Sequence, residues 1–308
     1  MKRKIAFIIL PNVELLDLAG PVQVFREAKE NGMDVSIEYY SWFPLVQTAA
    51  GLSIDGLPHY KELILTENDF LFIPGLHMES LERAEDEESW FFEWLRSCSD
   101  KGVTICSVCT AAFILGEAGL LDGKECTTHW RGVELLKKMY PLANVLTDVL
   151  FVKSENIYTS AGITAGIDMA LDILENLKGA LFTHQVARGL VVYQRRSSNH
   201  QQKSIYLDYR NHVNPRIHEV QDFLIKHIDE ENTIEKLAAM VCMSPRNLTR
   251  SFKDKVGITV WEYLRKLRIE NATTLLNDPD NTIEAIASKC GFKSARQLQR
   301  ILKIGTAS

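Results

Sequence analysis

The chain has 308 residues, a length suited to two domains, and a composition of 46% hydrophobic and 24% charged residues excludes a disordered chain, a collagen-like fibre and a coiled-coil rod. No run of about 18 apolar residues occurs, so no helix is expected to span a bilayer. The net charge of −5 is unevenly spread: residues 215–308 carry 15 basic and 12 acidic side chains, against 20 and 28 in the remainder, and this opposition of sign suggests different partners, with nucleic acid for the basic part.

Lys2-Arg3-Lys4 followed by the apolar residues 5–10 looks like the start of a secretory leader. Six apolar residues fall short of the roughly 7–15 that such a leader needs, and Pro11, Glu14 and Asp17 end the run, so the chain is expected in the cytoplasm. Residues 4–10 then read as a buried strand, and a helical pattern follows from Asp17 to Ala28. Further strand patterns occupy 35–41, 70–75, which ends in the Gly75 turn, and 103–108. A wholly apolar helical run follows the last of these, and the acidic run 85–88 reads as a solvated helix start. Ile167, Ala170, Leu171, Leu174 and Leu177 recur on one helix face. Strands alternating with helices predict an α/β fold, a parallel sheet sandwiched by helices, with ligands at the carboxyl ends of the strands.

The periodic pattern lapses in a polar stretch, and we place domain boundaries at 1–195 and 215–308, with a linker over 196–214. The second domain reads as all-helical and repeats itself. TIEKLAAMV (233–241) matches TIEAIASKC (282–290), and SPRNLTRSFK (244–253) matches SARQLQRILK (294–303). Each copy is a helix, a short turn and a second helix, the pattern of a helix-turn-helix unit. Between them, Trp261, Leu264, Leu267, Ala272 and Leu275 mark a connector helix. Ser244 and Ser294 stand at N-cap positions. Leu248/Phe252 and Leu298/Leu302 face a core, whereas Arg246/Arg250 and Arg296/Arg300 line the opposite stripe, where arginine meets guanine edges in a major groove. Lys253 and Lys303 at the helix ends suit phosphates. A solvated helix face explains one such stripe; two copies in the same register favour double-stranded DNA.

On these motifs, together with YLRKLRIENATTLL and IEAIASKCGFKSARQLQR, residues 216–303 resemble the AraC/XylS family of transcription regulators. The resemblance implies two helix-turn-helix units joined by a long helix, with Arg246, Thr249, Arg250, Arg296 and Arg300 on base-contacting positions. The sequence departs from it at Cys242, where the family usually has Gly, and lacks its closing Pro-x-x-Tyr.

In the acidic part the sharpest feature is VTICSVCTAAFIL: a strand enters Ser107-Val108-Cys109-Thr110-Ala111 and a helix leaves it. A cysteine on such an elbow is held out of the sheet, and a helix N-terminus is expected to stabilise its thiolate. Asp17 suits proton exchange with the thiol, His129 orientation of water or substrate, and the Gly75 turn an oxyanion. Each residue also has a structural explanation, as helix-start charge, packed imidazole and turn. Together the motifs ELLDLAGPVQVF, FIPG, SVCTAAFILGEAGLLDGK, TTHW and TSAGITAGIDMAL resemble, over 4–193, the ThiJ/PfpI, class I glutamine amidotransferase-like superfamily. The likeness is to isonitrile hydratases and to the sensor half of GlxA-type AraC regulators. It implies a flavodoxin-like sheet, a reactive Cys109, an acid at Asp17, a hydratase-like Thr110, and His129 and Gly75 in the pocket. Leu76 and Ala111 replace glycines often seen in the family.

Two other readings of the cysteines stay open. Cys106-x-x-Cys109 and Cys126-x-x-His129 have zinc-site spacing, but an apolar helix lies between them. A Cys106–Cys109 redox pair would need the elbow to rearrange, since side chains three apart on a strand point to opposite faces. The motifs call for no metal and no cofactor. The expected function is a DNA-binding regulator, homodimeric through its first domain, whose pocket senses a small, nitrogenous effector. Trp130 is a candidate face for a cation. An active Cys-dependent isonitrile hydratase or amidase carrying a DNA-binding module is the competing class.

Overall fold

The computed structural model describes residues 2–77, 86–192, 196–198, 202, 205, 209–276 and 281–305. The chain divides into two compact units, Met1–Gln202 and Lys203–Ser308.

In the first unit three apolar runs become strands buried on both faces, as inner strands of a parallel sheet must be: β1 (Arg3–Ile8), β5 (Phe70–Ile73) and β6 (Thr104–Val108). The edge strand β2 (Val35–Tyr40) is only partly buried. Between β2 and β5 a small antiparallel hairpin pairs β3 (Leu45–Gln47) with β4 (Ser53–Asp55). Later, β7 (Glu125–Cys126) and β8 (Asn144–Val145) form a short parallel pair. The hairpin of β9 (Phe151–Ser154) and β10 (Ile157–Ser160) completes the main sheet. That sheet has the order β2-β1-β5-β6-β10-β9. Only the edge strand β9 is antiparallel, and the five parallel strands, counted along the chain, run 2-1-3-4-5, the flavodoxin-like order.

Helices α1 (Leu15–Glu30), α2 (Asp86–Asp100), α3 (Ala111–Glu117), α4 (Val133–Met139), α5 (Thr164–Lys178) and α6 (Ala180–Gly189) alternate with the strands. Of the acidic run, Glu85 lies outside the described residues, and α2 opens on the rest. One apolar core centred on Phe7, Phe25, Phe72 and Ile105 joins the sheet to its helices. Arg196 and Gln202, beyond α6, still belong to this unit. Arg196 pairs with Asp168 of α5 at 2.6 Å, and Gln202 Nε2 donates to the carbonyls of Thr128 and Val149.

The second unit opens with a helix at Pro215–Lys226. The first helix-turn-helix pair is Ile234–Met240 with Pro245–Val256, and the second is Ile283–Lys289 with Ala295–Gly305. The connector Val260–Leu276 lies between them. It feeds two separate cores: Val260, Tyr263, Leu264 and Leu267 pack with Leu248 and Phe252, while Ala272 packs with Ile286, Cys290 and Leu298. Trp261, one of the residues that mark the connector, is 45% exposed; its neighbours Val260 and Tyr263 take the inward positions. No helix among the described residues is long and apolar enough to cross a membrane.

Candidate functional site

Four neighbouring parallel strands deliver their C-terminal loops to one place: α1 after β1 brings Asp17, the turn after β5 brings Gly75, the elbow after β6 brings Cys109, and the loop after β10 brings Gly162 and Ile163. The elbow is strained. Cys109 has φ of +58°, uncommon for a residue with a side chain. It is held there from both sides, its N–H donating to Ser160 O at 2.9 Å and its carbonyl accepting from Thr128 Oγ1 at 2.8 Å. Two glycines make the space. A methyl at Gly75 would overlap Asp17 Oδ2 and come within 2.7 Å of Cys109 Cβ, and one at Gly162 would lie 2.7 Å from Cys109 Sγ.

Asp17 is fully buried. Its Oδ1 accepts the Ile163 N–H at 2.5 Å, and through that bond it holds a β-branched residue at φ +50°, the N-cap of α5. Oδ2 is buried with no hydrogen bond of good geometry, although the Cys109 thiol and the Gly75 N–H both bear on the carboxyl. Burial pushes the Asp17 carboxyl up to about 6, against the lowering effect of these donors. Burial first, and then the Asp17 charge, push the Cys109 thiol far above its usual range, outweighing the Thr110 N–H that favours the thiolate. The expectation of a thiolate stabilised by the helix N-terminus is therefore reversed. Helix α3 has only seven residues, and the thiol at its start is buried beside the Asp17 carboxyl, a setting that favours its protonated form.

The raised carboxyl has a measurable consequence. Since its folded value lies above the unfolded one of 3.8, the stability tied to its proton is fully present below about pH 4 and lost as the pH rises through about 6. Asp17→Asn, which does not titrate, is expected to gain on the wild type by about 2–2.5 kcal/mol between pH 4 and pH 7.5. Denaturant midpoints across that range would show it; a pH-independent difference would contradict the assignment.

The other expected site residues sort differently. Thr110 is buried, but its hydroxyl is occupied: it accepts from Leu76 N–H at 2.8 Å and donates to Leu76 O at 2.6 Å, clamping the Gly75 turn to the elbow. That turn is also bound to the loop before α1, with Glu14 N–H on Gly75 O at 2.8 Å. His129 has no hydrogen bond to Asp17, Cys109 or Thr110 among the described residues. Its Nδ1 accepts from Arg131 N–H at 3.4 Å, and burial, then the Arg131 charge, lower its affinity for a proton. Its neighbour Thr128 makes the bond to the elbow. Trp130 is 45% exposed, but the Arg131 guanidinium already sits over its ring at 5.0 Å. Gly162 and Ile163, within the motif TSAGITAGIDMAL, have no role assigned from the sequence, yet both line the site. The Gly preceding a β-branched residue at the end of a strand was the available signal. All six cysteines are free, and no cluster of three His, Cys, Asp or Glu able to hold a metal occurs among the described residues.

In the second unit both candidate reading helices are built as their sequences require. Ser244 Oγ accepts the Asn247 N–H at 3.3 Å, Pro245 occupies the first turn, and Gly257 closes the helix at φ +85°. Ser294 Oγ accepts from Gln297 N–H at 3.2 Å, and Gln297 reaches back to Lys293 N–H at 2.8 Å. Leu248, Phe252 and Leu298 point inward, while Arg246, Thr249, Arg250, Lys253, Arg296 and Arg300 are exposed. The Lys303 side chain lies outside the described residues. Arg250 Nη2 leans on Asn247 Oδ1 at 3.5 Å, and Thr249 Oγ1 donates back to Pro245 O at 2.9 Å. Cys242, in the first turn, has φ of +53°, which is the physical reason a glycine suits that position.

Residues 3–176 match the model of the DJ-1/PfpI family, more than half of the chain, and the chain belongs to that family. Residues 237–306 match a helix-turn-helix domain. The combination is that of a DNA-binding transcription regulator with an AraC-type reader. The chain is 26% identical over 307 residues to the HTH-type transcriptional regulator CdhR of Pseudomonas aeruginosa, across 97% of this chain and 88% of the relative. It is 32% identical over 180 residues to an isonitrile hydratase of Pseudomonas putida, across 58% of this chain and 74% of that enzyme. A crystal structure of a ThiJ/PfpI family protein from Pseudomonas syringae superposes with a TM-score of 0.55 at 26% identity, covering 67% of this chain and 80% of the other.

Proposed function

We propose that the DJ-1/PfpI half senses a small nitrogenous compound in the cytoplasm at the Asp17–Cys109 pocket, and that binding there governs how the second half engages DNA. The observation that carries this is Asp17 Oδ2, a buried carboxylate oxygen with no hydrogen bond of good geometry. Such an orphan costs free energy that a ligand N–H, above all a cationic one, recovers. Any ligand that draws Asp17 away from Ile163 acts on the strained start of α5. The same first turns carry Thr164 and Asp168, which hold Arg196. A ligand shifts the regulator only by preferring one arrangement over the other. Homodimerisation through the first half belongs to this reading as well.

Turnover in the manner of the isonitrile hydratase relative is the second reading, because Asp17, Cys109 and Thr110 all meet at the elbow. Against it stand a neutral thiol and a Thr110 hydroxyl already committed to Leu76. A thermal-shift screen of small nitrogen compounds with the wild type and Cys109→Ala, followed by assay of each hit for consumption, separates the two. Binding without consumption supports the sensor; consumption lost in Cys109→Ala supports the enzyme, and no hit at all would count against a nitrogenous effector.

For the reading helices, Arg246→Ala and Arg296→Ala are each expected to weaken binding to a selected duplex by about 1–3 kcal/mol and to relax specificity at separate positions. Wild-type affinity and specificity in both would refute the assignment of these faces.

A further inference from the structure

The two helix-turn-helix units have separate cores, so apolar packing alone does not fix the angle between them. The connector joins both, and Arg268 lies on it between Leu267, which belongs to the first core, and Ala272, which belongs to the second. Its guanidinium donates through Nε to Ile228 O at 2.8 Å and through Nη2 to Glu230 O at 2.9 Å. These carbonyls belong to the stretch between the helix Pro215–Lys226 and the first helix-turn-helix unit. On its other side the guanidinium meets the turn of the second unit. A methyl at Gly291 would fall 2.6 Å from Arg268 Nη2, 2.7 Å from Cζ and 2.8 Å from Ile228 O. Gly291 also has φ of +70°, so geometry and space both demand glycine there. The close neighbour is no free side-chain end that can swing away, because two carbonyls hold it.

One planar cation therefore ties together the entry to the first unit, the connector and the turn of the second. We propose that Arg268 is a positioning residue for DNA reading: it sets the angle between the helices Pro245–Val256 and Ala295–Gly305, and so the phase at which the two arginine stripes meet successive segments of one duplex. This rests on the reading of those helices as the DNA-contacting elements. Lysine keeps the charge but lacks the rigid fork that spans two carbonyls, so Arg268→Lys separates positioning from charge.

The test uses the full chain and a duplex selected by the wild type from a random pool, with three derivatives: either half of the site scrambled, and one base pair inserted between the halves. Arg268→Lys is expected to keep the wild-type thermal transition within a few degrees and the wild-type affinity for both half-scrambled duplexes. It should bind the intact site about tenfold more weakly, and the penalty that the inserted base pair imposes on the wild type should shrink. Gly291→Ala, acting on the same contact from the other side, should show the same binding pattern toward the intact and inserted sites, together with a lower thermal transition from its left-handed backbone and the overlap with Ile228 O. The proposal is overturned if intact-site affinity and the phasing penalty stay at wild-type values, or if half-scrambled and intact sites weaken equally, which marks a fold effect. A wild type that selects no duplex overturns the DNA reading itself, an outcome distinct from any variant result.

Discussion

Gly162→Ala is expected to destabilise the amino-terminal unit by about 3 kcal/mol or more, lowering its thermal transition by roughly 6–12 °C. Two costs add. An alanine at φ +86° pays about 1–2 kcal/mol for a left-handed backbone. Its methyl would also overlap Cys109 Cβ and lie 2.9 Å from Cys109 Cα. Cys109 has nowhere to retreat, since its N–H and carbonyl are bonded to Ser160 and Thr128, and Val108 before it already packs against Gly166. Gly51→Ala is the control. It has a similar φ, +85°, but nothing within 4 Å of the added carbon, so it should show a conformational cost without the overlap. Equal losses in the two variants would mean that the close packing around Cys109 is not what fixes Gly162.

What could be read from the sequence follows the physics of each signal. Buried strands announce themselves as apolar runs: β5 and β6 fall within the runs at 70–75 and 103–108, and β1 begins one residue before the run at 4–10. The hairpin of β9 and β10 does not: FVKSENIYTS mixes lysine, glutamate and asparagine into a strand pair at the sheet's edge. Yet Ser160 at its end bonds the Cys109 N–H. The repeated Arg-x-Leu-x-Arg spacing located both reading helices because helix periodicity is local. Which of two adjacent residues turns inward is not local, and so Tyr263 and Val260, rather than Trp261, fill the first core. Proximity to the elbow likewise separated Thr128 from His129 only in three dimensions. The thiol was misjudged for a different reason. A helix start is visible in sequence, whereas the desolvation that outweighs it depends on the whole surrounding core.

The second large effect is expected at Arg196. Asp168, 5% exposed on α5, accepts from the Arg196 N–H at 3.1 Å, from Nε at 2.9 Å and from Nη2 at 2.6 Å, while Nη2 also reaches Thr164 Oγ1 at 2.7 Å. Removing the cation weakens the neutralisation of a buried carboxylate, where breaking a fully buried pair costs about 3–5 kcal/mol. The Arg196 side chain is 32% exposed, and water that reaches it softens the penalty, so Arg196→Met is expected to cost about 2–4 kcal/mol. Removing both partners is a different matter, because the cost lies in keeping a less well neutralised carboxylate buried more than in the lost attraction. Arg196→Met combined with Asp168→Leu should therefore recover most of the deficit, although each change alone destabilises. Chemical denaturation of the three variants reads this directly. A double variant as unstable as the sum of the singles would show that the pair acts through packing of its side chains and not through charge.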